Sequence, residues 1–127
     1  MSTSKISVLV VEDDKFISGA YQAKFESEGF ICKFAFNGEE ALEILKTFIP
    51  DVIILDLVMP VKNGFEVLKE LKKDKKLSKI HVFVATNLGQ EQYIVKAKEM
   101  GANDYILKSE LSLSDLVKKI RSAVEKN

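Results

Sequence analysis

Ile6-Ser7-Val8-Leu9-Val10-Val11-Glu12-Asp13-Asp14 is an apolar run that stops on three successive acids. A short, near-continuous stretch of this kind, rich in Val and Ile, reads as a strand buried on both faces, as in a parallel sheet covered by helices on either side. Val52 to Leu55 and Val82 to Ala85 read the same way, and Ile31 to Phe36 and Tyr105 to Leu107 complete a set of five. Between these runs the apolar spacing changes to that of helices. Ile17, Ala20, Tyr21 and Phe25 mark a first helix closed by Gly29; Asn37 caps a second, with Glu40 three residues on and Leu42 and Leu45 inward. Phe65, Leu68 and Leu71 mark a third, Ile94, Ala97 and Met100 a fourth that ends near Gly101, and Leu116, Ile120 and Val124 a fifth capped by Ser112 or Ser114. Five strands alternating with five helices predict a doubly wound α/β sandwich.

The chain has 127 residues, a length that fits one domain, and no linker, low-complexity tract or repeat divides it. Residues 1–127 are therefore expected to form a single domain with no output domain. Nineteen basic and nineteen acidic side chains cancel, which argues against direct binding of nucleic acid or of an anionic membrane. An apolar fraction of 46% excludes intrinsic disorder, and no apolar run is long enough to span a bilayer. A single cysteine, Cys32, and no signal peptide lead to the expectation of a cytoplasmic protein. The charge is unevenly placed: residues 1–63 carry six lysines and ten acids, a net of −4, and residues 64–127 thirteen basic side chains and nine acids, a net of +4.

Five strands fit the flavodoxin-like order 2-1-3-4-5, with the ligand crevice at the carboxyl ends of strands 1 and 3. Glu12, Asp13 and Asp14 follow strand 1 and Asp56 ends strand 3, so this order gathers the acids in that crevice. Two such charges about 5 Å apart repel by roughly 3 kcal/mol at an effective dielectric near 20, and a cation relieves them. An all-oxygen donor set with room for water and phosphate oxygens suits Mg²⁺. Thr86 ends strand 4 with a hydroxyl and Lys108 ends strand 5 with an ammonium. Together these groups fit phosphoryl transfer, with Asp56 as nucleophile and Mg²⁺ and Lys108 offsetting the developing charge.

Four stretches in this order and spacing carry a family resemblance: Leu9-Val10-Val11-Glu12-Asp13-Asp14; Ile54-Leu55-Asp56-Leu57-Val58-Met59-Pro60 with Gly64 four residues on; Val84-Ala85-Thr86; and Gly101-Ala102-Asn103-Asp104-Tyr105-Ile106-Leu107-Lys108. Over essentially its whole length the chain resembles the receiver domain of two-component response regulators. The resemblance implies that Asp56 accepts the phosphoryl group from a histidine kinase or phosphotransfer protein. It implies Mg²⁺ held by Asp13, by Glu12 (often through water), by Asp56 and by the backbone carbonyl of Val58. Thr86 would be the switch hydroxyl, Lys108 the phosphoryl-binding lysine and Tyr105 the aromatic switch. A downstream protein would read the change on the face made by helix 4, strand 5 and helix 5. The only reactions catalysed would be the chain's own phosphorylation and its slow reversal. Slowness is expected because Val58 and Leu88, at the two positions that in the family position the hydrolytic water, are apolar.

The chain departs from the family pattern at Asn87, where Ala or Gly is usual, and at Ser109, where a cis proline is usual. A Lys108–Ser109 bond is expected to be trans, or cis under strain. The segment from Lys108 to Leu116 is one residue longer than usual. These departures leave open a second reading, a degenerate receiver that binds proteins without being phosphorylated. A flavin carrier is disfavoured because three acids follow strand 1 where a phosphate would sit, and an aspartyl phosphatase because Val58 stands where a second aspartate is needed. His81 reads as a satisfied structural side chain, Cys32 as a buried small hydrophobe, the lysines of residues 69–79 as a solvated face, and Phe16, Phe25, Phe34 and Phe36 as core or sheet-face packing.

Overall fold

The computed structural model describes residues 5–125. Five strands, β1 (Ser7–Val11), β2 (Ile31–Ala35), β3 (Val52–Leu55), β4 (His81–Thr86) and β5 (Asp104–Leu107), form one parallel sheet in the order β2-β1-β3-β4-β5. Helices α1 (Lys15–Ser27), α2 (Gly38–Ile44), α3 (Gly64–Lys73), α4 (Glu91–Glu99) and α5 (Leu113–Glu125) alternate with them. The predicted doubly wound architecture is what forms, with one addition, a 3₁₀ turn at Leu77–Lys79 before β4.

Strand alternation builds two cores. Leu9, Val11, Ile53, Leu55, Val82 and Val84 face one way and join Ala41 of α2, Leu45 at its C-terminal cap, Val67, Leu68 and Leu71 of α3, and Ala97 of α4. Val8, Val10, Val52, Ile54 and Phe83 face the other way and meet Tyr21, Phe25, Leu116 and Ile120 of α1 and α5. Both faces of the three central strands are thus covered, which is why their sequence is apolar without alternation. Arg121 ties the two helices of the second face, donating to the Glu28 carboxylate at 2.9 Å and lying over the Phe30 ring at 5.0 Å.

Local chemistry sets the helix ends. Asp14 caps α1, accepting from the N–H groups of Phe16 and Ile17, so this acid serves the backbone. Asn37 caps α2 as expected, but Glu40 turns back to the N–H of Phe36, one residue before the cap. Asn63 and Glu66 form a reciprocal capping box on α3, and Ser112, not Ser114, caps α5 through the Asp115 N–H. Gly29 and Gly101 follow α1 and α4 at φ +82° and +105°.

Two expectations fail. Phe16 is 93% exposed because the Asp14 cap places it in the first turn of α1 on the outer side, and Ala20 of the same helix is exposed as well. Cys32 is half-buried on the edge strand β2 instead of enclosed; burial still pushes its thiol up to about 11. No peptide bond among the described residues is cis, so Lys108–Ser109 is trans. His81 is satisfied, its Nε2 lying 2.9 Å from Asp104 and its ring against Phe83.

The β3–α3 connection makes a tight turn: Lys62 N–H donates to Pro60 O at 2.7 Å, leaving Val61 at φ +66° with its side chain in solvent. A β-branched residue there stores about 1–3 kcal/mol, and glycine costs only about 0.5–1 kcal/mol of chain entropy. Val61→Gly is expected to raise stability by about 1 kcal/mol and the melting temperature by ~4 °C. A circular-dichroism melt checks this, and an unchanged or lower midpoint contradicts it.

Candidate functional site

Parallel register delivers the polar residues at the strand ends to one place. Val11 pairs with Leu55, so Glu12 and Asp56 step off adjacent strands together. Thr86 pairs with Leu107, and the Lys108 N–H donates to Thr86 O at 2.9 Å. Glu12, Asp56 and Thr86 are buried, while Asp13 and Val58 face solvent. The result is a cleft of about 340 Å³ lined by acids on one side and by Thr86, Asn87 and Lys108 on the other.

Lys108 organises the buried charge. Its ammonium donates to Asp56 Oδ2 at 2.9 Å and, in a shorter contact, to Glu12 Oε1. The second Glu12 oxygen accepts from Asp14 N–H at 3.1 Å, and the second Asp56 oxygen from Val58 N–H at 3.3 Å. Burial holds the Glu12 carboxyl above its ordinary range, with the Asp56 charge adding and the Lys108 and Asp14 donors opposing. For Lys108 burial acts downward, but the hydrogen bonds to Glu12 and Asp56 outweigh it and leave the ammonium harder to deprotonate than usual.

Each of Glu12, Asp13 and Asp56 offers a carboxylate oxygen, all within 4.8 Å of one another. These hard oxygen donors around an open cleft fit Mg²⁺, which takes few protein ligands and retains waters. The Val58 backbone follows Asp56 closely enough to donate to it, which puts its carbonyl in the same loop.

Thr86 is 1% exposed and its Oγ1 accepts from Leu88 N–H at 3.4 Å. Tyr105 is half-buried from β5, and its hydroxyl donates to Leu88 O at 2.6 Å. Residues 87–90 between β4 and α4 are thus gripped from both sides, by Thr86 at the cleft and by Tyr105 from the neighbouring strand. Every site residue named from the sequence lies in this region. The sequence reading gathered Asp14 with the other acids of the crevice; its carboxylate instead caps α1, and its N–H aims Glu12. Ile17, which also lines the cleft, was read only as core.

Residues 8–121 match the family model for the response regulator receiver domain. The chain is 37% identical over 101 residues to the chemotaxis protein CheY of Halobacterium salinarum, covering 80% of this chain and 82% of that one. It is 39% identical over 120 residues to a protein-glutamate methylesterase/protein-glutamine glutaminase of Halalkalibacterium halodurans, covering 93% of this chain but 34% of that protein. Against the probable transcriptional regulator ycf27 of Guillardia theta it is 32% identical and spans 47% of the relative's length, so several curated relatives extend well beyond the matched region. Among solved structures, the receiver domain of the Francisella response regulator 1452 superposes with a TM-score of 0.88 at 30% identity, covering 96% of this chain and 98% of that one.

Proposed function

The chain belongs to the response regulator receiver domain family of two-component signalling, and from that membership we propose that it is a phosphorylation-dependent switch with Asp56 as acceptor. One observation carries the reading: a buried carboxylate, held by a half-buried lysine, faces an open cleft shared with two further acids. The donor is a phosphohistidine of a histidine kinase or phosphotransfer protein. An Asp56 carboxylate oxygen attacks phosphorus, the P–N bond breaks, and the released imidazole keeps the electron pair and takes a proton from solvent. Lys108, already on Asp56, is placed to meet a phosphoryl oxygen, and Thr86 offers its hydroxyl to another. Mg²⁺, held by Glu12, Asp13, Asp56 and the Val58 carbonyl, supplies compensating charge when bound.

The test is intact mass after incubation with acetyl phosphate and Mg²⁺. Addition of one phosphoryl group, absent with EDTA and mapped to the peptide containing Asp56, is the expected result. No addition, together with no binding of beryllofluoride, supports instead a degenerate receiver that binds proteins without phosphorylation.

Thr86 and Tyr105 are the proposed relay to a downstream protein on the α4-β5-α5 face. Drawing the Thr86 hydroxyl toward a phosphoryl oxygen removes the Leu88 N–H acceptor and frees residues 87–90 to rearrange under Tyr105. Tyr105→Ala is expected to accept the phosphoryl group normally but to lose the phosphorylation-dependent change in amide exchange across residues 87–90. An unchanged exchange response argues against the relay.

Val58 and Leu88 line the cleft without a group to orient an attacking water. The phosphorylated form is accordingly expected to persist for minutes or longer, followed by mass after removal of donor. Decay within seconds contradicts this.

A further inference from the structure

A second cavity is larger than the acidic cleft. It lies across Lys108 from that cleft, between α1, the end of β5 and the segment leading into α5, with a volume of about 420 Å³. Sites for small molecules run from roughly 300 to 1,000 Å³ and are mostly apolar, with few polar groups. This cavity has that character: Ile17 and Ala20 of α1, Ile106 of β5, and Leu111 and Leu116 beyond it supply the walls.

The polar side chains in the lining offer no uncommitted charge. The Lys108 ammonium is held by Glu12 and Asp56. Ser112 is neutral and its hydroxyl already caps α5. Tyr21 is 5% exposed, and burial pushes its phenol up to about 12, so its hydroxyl keeps its proton across the physiological range. A charged ligand would lose its hydration here and gain no counter-ion. An uncharged one gains apolar contact and finds neutral hydroxyls. Ile17 and Lys108 line both this cavity and the acidic cleft, so an occupant would touch side chains that border Asp56.

We propose that the cavity between α1, β5 and α5 is a binding site for a small, uncharged, largely apolar molecule with one hydrogen-bonding group.

The probe is N-phenyl-1-naphthylamine, an uncharged aromatic amine that fluoresces in apolar surroundings. Titration into the wild-type chain is expected to saturate at one site. Ala20 lines the cavity from an exposed position on α1, so its replacement fills space without removing core. Ala20→Phe should weaken binding at least tenfold, and Ala20→Ser, which leaves the volume open, should retain it; melting curves check that both variants fold. Fluorescence that never saturates, or a saturating curve indifferent to Ala20→Phe, overturns the proposal. So does a concentration-dependent dimer that Ala20→Phe abolishes while the probe fails to bind, which would give the cavity to a second copy of the chain, whose exposed Phe16 is a ready anchor. Phosphorylation of Asp56 is read by mass and stands or falls separately.

Discussion

Asp56→Asn is expected to gain no mass from acetyl phosphate and Mg²⁺, at a detection level of about one part in a hundred of wild type, while keeping its fold. The amide carries no anionic oxygen to attack phosphorus, and it removes one of the three clustered metal-binding carboxylates. Its effect on stability is small for a reason visible in the site. Lys108 loses one of two carboxylate partners but keeps Glu12. In exchange the site loses a like-charge repulsion which, between oxygens within 4.8 Å of each other, is worth about 3 kcal/mol at an effective dielectric near 20. The two changes oppose, and a net shift within about 1 kcal/mol follows. Lost labelling with a retained melting temperature therefore isolates chemistry from folding. Continued mass gain in this variant would move the acceptor elsewhere, with Asp13 the first residue to test.

Gly64→Ala acts on the same aspartate through the backbone, and here the large effect is on stability. Gly64 opens α3 directly against the end of β3, donating its N–H to Leu57 O at 3.1 Å. A Cβ at this position would overlap the Asp56 carbonyl oxygen and lie 2.7 Å from Leu57 Cα. Both neighbours are main chain, so no rotamer change relieves the clash; α3 must withdraw from the strand end or Asp56 must move. Overpacking against rigid backbone of this kind is expected to cost about 3 kcal/mol, or ~10 °C in melting temperature for a chain of this size. Displacing Asp56 by even an ångström should also slow labelling more than tenfold. A variant that melts and labels as wild type would mean that the connection after β3 is softer than its contacts imply.

The fold was legible because the central strands announce their environment. Val8 to Val11, Val52 to Leu55 and Val82 to Ala85 are apolar on both faces, and two-sided burial is a condition that few architectures impose. Glu12, Asp56, Thr86 and Lys108 were legible for a related reason: each is the first polar residue after an apolar run, and parallel register turns that shared position into proximity. What escaped was set by helix phase and turn geometry. Phe16 looked like core because apolarity was read without the Asp14 cap, which fixes where α1 starts and turns residue 16 outward. The left-handed Val61 carries no sequence signal, since nothing in Met59-Pro60-Val61-Lys62 calls for glycine. The cavity beside Lys108 depends on how α1 and α5 lean on the sheet, and residue pattern alone does not encode that.

The Lys108 contacts also bear on how the protein assembles. Lys108 reaches Glu12 across 96 positions of chain and Asp56 across 52. Closing loops of that size is entropically unfavourable until intervening elements have docked, so these bonds are expected to form late in folding. A nascent chain emerging from the ribosome, or one with its last strand detached, holds the three acids without their lysine. Under the function proposed above, competence to accept a phosphoryl group on Asp56 requires the completed sheet, and a partly folded molecule is expected to stay unlabelled by acetyl phosphate.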